Sequence, residues 1–137
     1  MKKILVPIDG SENSKRALTR AKELGELYKA QLILLTVIDN GRFFSIEFKD
    51  ELIRILEQNA KELLEKQEKE LEDYPFGVKT MYKLGDVPDE IINVADEEDV
   101  DLIVIGTRGL GAFSRAVLGG VSHKVVTHAN RSVLVVK

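Results

Sequence analysis

Five short apolar segments alternate with four stretches of helical periodicity, which predicts a doubly wound α/β domain: a five-stranded parallel sheet with helices on both faces. Three observations carry that class. The segments at 3–8, 31–38 and 102–105 are apolar almost throughout rather than alternating, as strands buried on both faces are. The stretches between them are amphipathic and long enough for crossover helices. The length of 137 residues suits one domain, expected to span residues 1–137.

The elements follow in order. Lys3 to Ile8 (KILVPI) is the first strand, ended by Asp9-Gly10-Ser11. Ala17, Ala21, Leu24 and Tyr28 recur at helical spacing, with Ser11 to Ser14 as N-cap candidates. Gln31 to Ile38 (QLILLTVI) is a second buried strand, and Asp39-Asn40-Gly41 is turn chemistry leading into a loop. Leu52, Leu56, Ala60, Leu63, Leu64, Gln67 and Leu71 mark one stripe of a long helix whose other faces carry Glu and Lys, and which stops near Pro75-Phe76-Gly77. Val78 to Leu84 (VKTMYKL) is a third strand; Gly85-Asp86-Val87-Pro88 then gives a turn, an N-cap and a first-turn proline. Ile91, Ile92, Val94 and Ala95 form the core face of the next helix. Leu102 to Ile105 (LIVI) is the fourth strand, Gly106 to Gly120 a glycine-punctuated loop, Val121 to His128 a last helix, and Ser132 to Val136 (SVLVV) the fifth strand.

Composition removes several chemistries. The absence of cysteine excludes disulfides, thiolate metal sites and cysteine nucleophiles. No uncharged apolar stretch approaches the ~20 residues of a membrane helix, and Met1-Lys2-Lys3 runs straight into a short strand with no longer apolar leader, so a cytoplasmic protein with no membrane partner is expected. The net charge of −3 gives no reason to expect a polyanion across the whole surface. Its distribution is uneven. Up to Asp101, 15 basic residues stand against all 23 acidic ones, a balance of −8, whereas from Leu102 onward Arg108, Arg115, Lys124, Arg131 and Lys137 give +5. The basic stretch is short and lacks an aromatic platform, which disfavours nucleic acid.

In open parallel sheets ligands bind beyond the carboxyl ends of the strands, where strand order reverses. That places candidates at Pro7, Ile8 and Asp9 after the first strand, at Val37 to Asp39 after the second, and along the loop that starts at Gly106. Gly106, Gly109, Gly111, Gly119 and Gly120 permit positive φ and close backbone approach, so amides can turn inward to an anion. The helix from Val121 adds N-terminal amides, with Arg108, Arg115 or Lys124 near enough to assist. The loop is neither a G-x-x-x-x-G-K-[ST] nor a G-x-G-x-x-G motif. His123 and His128 are five apart rather than at the i, i+4 spacing of a helical metal pair, so no metal site is assigned. Ser11, Ser14, Ser114 and Ser122 have no positioned general base in the sequence, which argues against a nucleophilic serine. Asp96-Glu97-Glu98-Asp99 ends a helix and is read as a solvated turn.

The loop presents Gly106, two residues, Gly109, nine residues, then Gly119 with Gly120-Val121-Ser122 behind it. This spacing resembles the G-x2-G-x9-G-[ST] loop of the universal stress protein family. VPIDGS, LLTVID, GDVPDEI, DLIVIGTRGLG and SVLVVK resemble that family's blocks over essentially the whole chain. The resemblance implies a Rossmann-like sheet of order 3-2-1-4-5, an adenine nucleotide (ATP, AMP or ADP) at the strand ends, and a homodimer joined through the last strand. It implies base and ribose against Pro7, Ile8, Asp9 and the backbone at Val37, and phosphates on Gly106, Thr107, Arg108, Gly109, Gly111, Gly119, Gly120, Val121 and Ser122. One position departs from the pattern: Gly120 stands where the family's nucleotide binders have Ser or Thr, removing one hydroxyl contact to phosphate. HANRSVLVV also replaces the family's common proline-bearing approach to the last strand. The expected function is a nucleotide-binding regulatory module of the stress response. The competing expectations are a slow ATPase, in which bound Mg²⁺ or Mn²⁺ helps water attack a phosphate, and a nucleotide-independent dimeric interaction protein.

Overall fold

The computed structural model describes residues 1–43, 47–107 and 120–137. In chain order they form β1 (Lys3–Pro7), α1 (Glu12–Tyr28), β2 (Gln31–Ile38), a 3-10 turn (Asn40–Phe43), α2 (Lys49–Glu70), β3 (Val78–Leu84), α3 (Val87–Glu97), β4 (Leu102–Gly106), α4 (Gly120–His128) and β5 (Ser132–Val136). All strand pairings are parallel and the sheet order is β3-β2-β1-β4-β5, as expected. Several boundaries differ from the sequence reading: α4 starts one residue earlier, at Gly120, and α2 ends at Glu70, short of Pro75-Phe76-Gly77. β1 ends at Pro7, although the Ile8 amide still donates to the Leu35 carbonyl at 2.8 Å, and β4 runs one residue further, to Gly106.

The near-continuous apolar runs have the predicted cause: successive residues supply opposite faces, and both faces are covered. Ile4, Val6, Leu32, Leu34, Leu102 and Val104 pack with Ala17, Leu18 and Ala21 of α1 and Leu64 of α2. Their neighbours Leu5, Ile33, Leu35, Ile103 and Ile105 pack with Ile91, Val94 and Ala95 of α3 and Val125 of α4. Each fully buried Leu, Ile or Val contributes about 1.5–3 kcal/mol, so the sheet is the main source of stability.

Caps set the helix starts. The Ser11 hydroxyl accepts from the Ser14 amide at 3.2 Å, and Asp86 accepts from the Asp89 amide at 3.2 Å with Pro88 in the first turn of α3. α2 has no side-chain cap; Phe48 precedes it with φ +66°, and Asp50 and Glu51 meet the positive end of the helix dipole. Its buried residues, Ala60, Leu64 and Gln67, all belong to the second half, so the first half extends past the core. Gly25 of α1 is fixed by contact: a Cβ there would lie 2.1 Å from the Tyr74 hydroxyl, which donates to the Ala30 carbonyl.

At the amino ends of the strands, β1 and β4 are tied together. The Asp101 amide donates to the Lys3 carbonyl at 2.9 Å, and the Asp101 carboxylate accepts from the amides of Lys2 at 2.6 Å and Lys3 at 3.0 Å. Those two amide bonds, helped by the N-terminal ammonium and Lys2 and opposed only by slight burial, hold the carboxyl below its ordinary 3.8. A carboxyl depressed in the folded state stabilises above its unfolded pKa and loses that contribution as pH falls through the folded value. Asp101→Asn is therefore expected to flatten the fall in melting temperature below about pH 4. Thermal scans of both proteins across the acid range check this; parallel acid limbs would contradict it.

Candidate functional site

The same two strands part at their carboxyl ends. β1 pairs with β2 at five positions, from Lys3 opposite Gln31 to Pro7 opposite Leu35, but with β4 only at Ile4–Leu102 and Leu5–Ile103. Beyond these pairs a cavity of about 300 Å³ opens at the point where strand order reverses. Pro7, Ile8 and Asp9 line it from β1, Leu35 and Val37 from β2, and Ile105, Gly106 and Thr107 from β4. Val87 and Ile91 of α3 and Val121 and Ser122 of α4 close the opposite wall, and Ser11, Asn13 and Ser14 form the rim.

Backbone bonds fix the β1 end. The buried Thr36 hydroxyl donates to the Ile8 carbonyl at 3.0 Å. The Asp9 amide donates to the Ser14 hydroxyl at 3.3 Å, and the Ser11 amide donates to the Asp9 carboxylate at 2.9 Å. Partial burial acts to raise the Asp9 pKa, but the hydrogen bonds from Ser11, Ser14 and its own amide outweigh it, and the carboxyl is held below its ordinary value. Asp9 therefore presents a charged acceptor at neutral pH.

Gly106 is where β4 meets α1. A Cβ there would lie 2.5 Å from the Asn13 carbonyl oxygen and 2.7 Å from its carbon, so only glycine lets the first turn of α1 approach this strand end. The next amide, of Thr107, donates to the Val136 carbonyl at 3.0 Å and continues the β4–β5 pairing. Ser122 is buried against the cavity at 2% exposure.

A second, larger compartment of about 860 Å³ adjoins the first and shares Asp9, Val37, Val87 and Val121 with it. It adds Asp39, Asp86 and Lys124, the Leu56, Asn59 and Leu63 face of α2, and Gly120, where a Cβ would meet nothing within 4 Å.

The structure thus brings Pro7, Ile8, Asp9, Val37, Gly106, Thr107, Val121 and Ser122 around one cavity and puts Gly120 in the adjoining one. Arg108, Gly109, Gly111 and Gly119, like Arg115, lie outside the described residues. Sequence reasoning did not assign Leu35, Ile105, Val87 and Ile91 to the site. Period-two counting back from Val37 points to Leu35, and the i, i+4 pair Val87–Ile91 faces the sheet, so part of that signal was available. Among the described residues no histidine lines either compartment, and no group of three or more His, Asp or Glu side chains could hold a metal. The arrangement suits binding: an apolar slot for a flat ring, with hydroxyls, glycine amides and one carboxylate at its edge.

Gly106→Ala is expected to destabilise the protein by about 1–3 kcal/mol through the clash with α1. Gly120→Ala is expected to change stability by less than about 0.5 kcal/mol, because its Cβ enters open space. Urea unfolding of the two variants checks the contrast; equal midpoints would contradict it.

A family model described as the universal stress protein family matches residues 1–137. The chain is similar to universal stress protein MJ0577 of Methanocaldococcus jannaschii, with 37% identity over 99% of this chain and 94% of that one. It is also 32% identical to universal stress protein YxiE of Bacillus subtilis, over 98% of each. A solved structure of MJ0577 superposes with a TM-score of 0.88 at 40% identity, covering 99% of this chain and 95% of that one. A universal stress protein from Archaeoglobus fulgidus, solved in complex with dAMP, superposes with a TM-score of 0.68 at 26% identity, covering 100% and 98%.

Proposed function

The chain belongs to the universal stress protein family, and we propose that it acts there as an adenine-nucleotide-binding regulatory module, with ATP as its principal ligand. The observation that carries this reading is the cavity at the strand-order reversal, apolar on its walls and polar on its rim. The related protein solved with dAMP supports an adenine nucleotide as the ligand class. In this reading the base and ribose contact Pro7, Ile8, Asp9 and the backbone at Val37. The charged Asp9 accepts from ribose hydroxyls, and Gly106, Thr107, Gly120, Val121 and Ser122 carry the phosphates together with Arg108, Gly109, Gly111 and Gly119. Lys124, which lines the adjoining compartment near Gly120 and Val121, supports the phosphate end.

Calorimetric titration of nucleotide-stripped protein with ATP and Mg²⁺ tests the proposal, with binding at about micromolar Kd expected. A charge-assisted hydroxyl contact is worth about 1.5–3 kcal/mol, so Gly120→Ser, which has room for its side chain, is expected to tighten ATP binding roughly ten- to a hundredfold. No heat at millimolar ATP in either protein would overturn the reading.

The sheet edges support a homodimer through β5. β5 is outermost and its SVLVV sequence carries no charge, whereas the other edge strand, β3, carries Lys79 and Lys83. Lysines blunt an unpaired edge and an uncharged apolar strand invites pairing. Light scattering is expected to give twice the chain mass of 15.4 kDa at micromolar concentration; particles of the chain mass alone would contradict the dimer.

A further inference from the structure

We propose that Thr36 is a positioning residue for the ligand's base: its hydroxyl takes the Ile8 carbonyl out of the β1–β2 ladder and so leaves the Val37 amide to donate to a ring nitrogen. The inference deepens the nucleotide reading above and rests on it. Thr36 acts on the base through Val37.

The ladder shows where the missing rung belongs. Along the β1–β2 pair, even-numbered residues of the first strand bond to odd-numbered residues of the second: the Gln31 amide donates to the Lys2 carbonyl and the Ile8 amide to the Leu35 carbonyl, both at 2.8 Å. On the other side of β2, the Gly85 amide donates to the Ile38 carbonyl at 3.0 Å, so even-numbered residues of β2 bond to β3. The backbone groups of Val37 therefore point toward β1, and the even spacing of a parallel ladder puts the next rung between the Val37 amide and the Ile8 carbonyl. Among the described residues that rung is not formed; the Ile8 carbonyl accepts instead from the Thr36 hydroxyl at 3.0 Å. The rung after it, from the Gly10 amide to the Val37 carbonyl, is not formed either, because the chain turns away at Gly10, whose φ is +84°. Val37 thus presents a donor and an acceptor side by side at the cavity it lines.

Packing does not require a hydroxyl at position 36. β2 is otherwise apolar from Leu32 to Ile38, Thr36 is 8% exposed, and valine has the same branched shape. A buried hydroxyl is costly unless it is hydrogen-bonded, and the bond Thr36 makes is to the very carbonyl that would otherwise engage Val37. The next residue of the first strand is held from the α1 side, where the Asp9 amide donates to the Ser14 hydroxyl at 3.3 Å. A base with an unprotonated ring nitrogen beside an exocyclic amino group, as in adenine, complements the Val37 pair. Hypoxanthine carries a ring N–H and a carbonyl at the same edge and would set donor against donor.

The test compares the full chain with Thr36→Val and Thr36→Ser by amide hydrogen exchange without ligand and by calorimetry with AMP and inosine monophosphate. In Thr36→Val the buried Ile8 carbonyl has lost its donor, and pairing with the Val37 amide satisfies it again. Exchange at Val37 is therefore expected to slow about tenfold or more. AMP affinity is expected to fall roughly three- to tenfold while inosine monophosphate stays within about twofold, and Thr36→Ser is expected to match the parent chain in both measurements. Unchanged exchange at Val37 in Thr36→Val would overturn this inference alone, as would an equal loss of affinity for both nucleotides, the signature of a strand that has only loosened. A parent chain that binds neither nucleotide would overturn the nucleotide reading and the base-positioning role with it.

Discussion

The approach of α1 to the end of β4 is the contact on which the site depends. Gly106 has no side chain, so the Asn13 backbone occupies the space a Cβ would take. With the first turn of α1 seated there, the Ser11–Ser14 cap lies behind Asp9, and the Asp9 amide and carboxylate are held by Ser14 and Ser11. One glycine thus fixes the position of a helix end, a carboxylate and three hydroxyl- or amide-bearing rim residues. A larger residue at 106 would move all of them together, because packed interiors transmit displacement instead of absorbing it.

The central strand pair is closed at one end and open at the other. Asp101 ties the amides of Lys2 and Lys3 at the amino ends, while β1 and β4 lose their pairing after Leu5 and Ile103. Sheet twist alone would spread these strands gradually; clamping one end concentrates the opening at the other. The two aspartates have opposite roles in this arrangement. Asp101 has its charge satisfied by local amides, whereas Asp9 also faces the cavity, where its lowered pKa keeps it ionised for a partner. Among the described residues, Asp9 puts negative charge at the β1 end of the cleft and Lys124 of α4 puts a positive charge at the adjoining compartment.

Much of this was legible in the sequence. Uninterrupted apolar runs marked β1, β2 and β4, and Ser11 and Asp86-Val87-Pro88 marked helix starts, because a strand buried on both faces and a capped helix each leave a local pattern. The start of α2 was less legible: Phe48 provides no side-chain cap, and the 3-10 turn at Asn40–Phe43 has no signature beyond its turn residues. For the site, the strand-end residues Pro7 to Asp9 and Val37 followed from topology. The i, i+4 spacing of Val87 and Ile91 places them on the sheet-facing side of α3, but that α3 carries them to the cleft, and that the overhang of α2 carries Asn59 there, are tertiary facts with no local signal. The second compartment was invisible for the same reason.

The most direct test of the central claim, that the strand-order reversal is the nucleotide site, is a titration of isotope-labelled protein with AMP followed by amide chemical shifts. The account predicts that the shifts concentrate at Ile8, Asp9, Val37, Thr107 and Val121, with the Asp101 end of the sheet unmoved. Shifts centred on the amino ends of the strands or on the outer surface of α1 and α2, with the cleft amides unchanged, would contradict it.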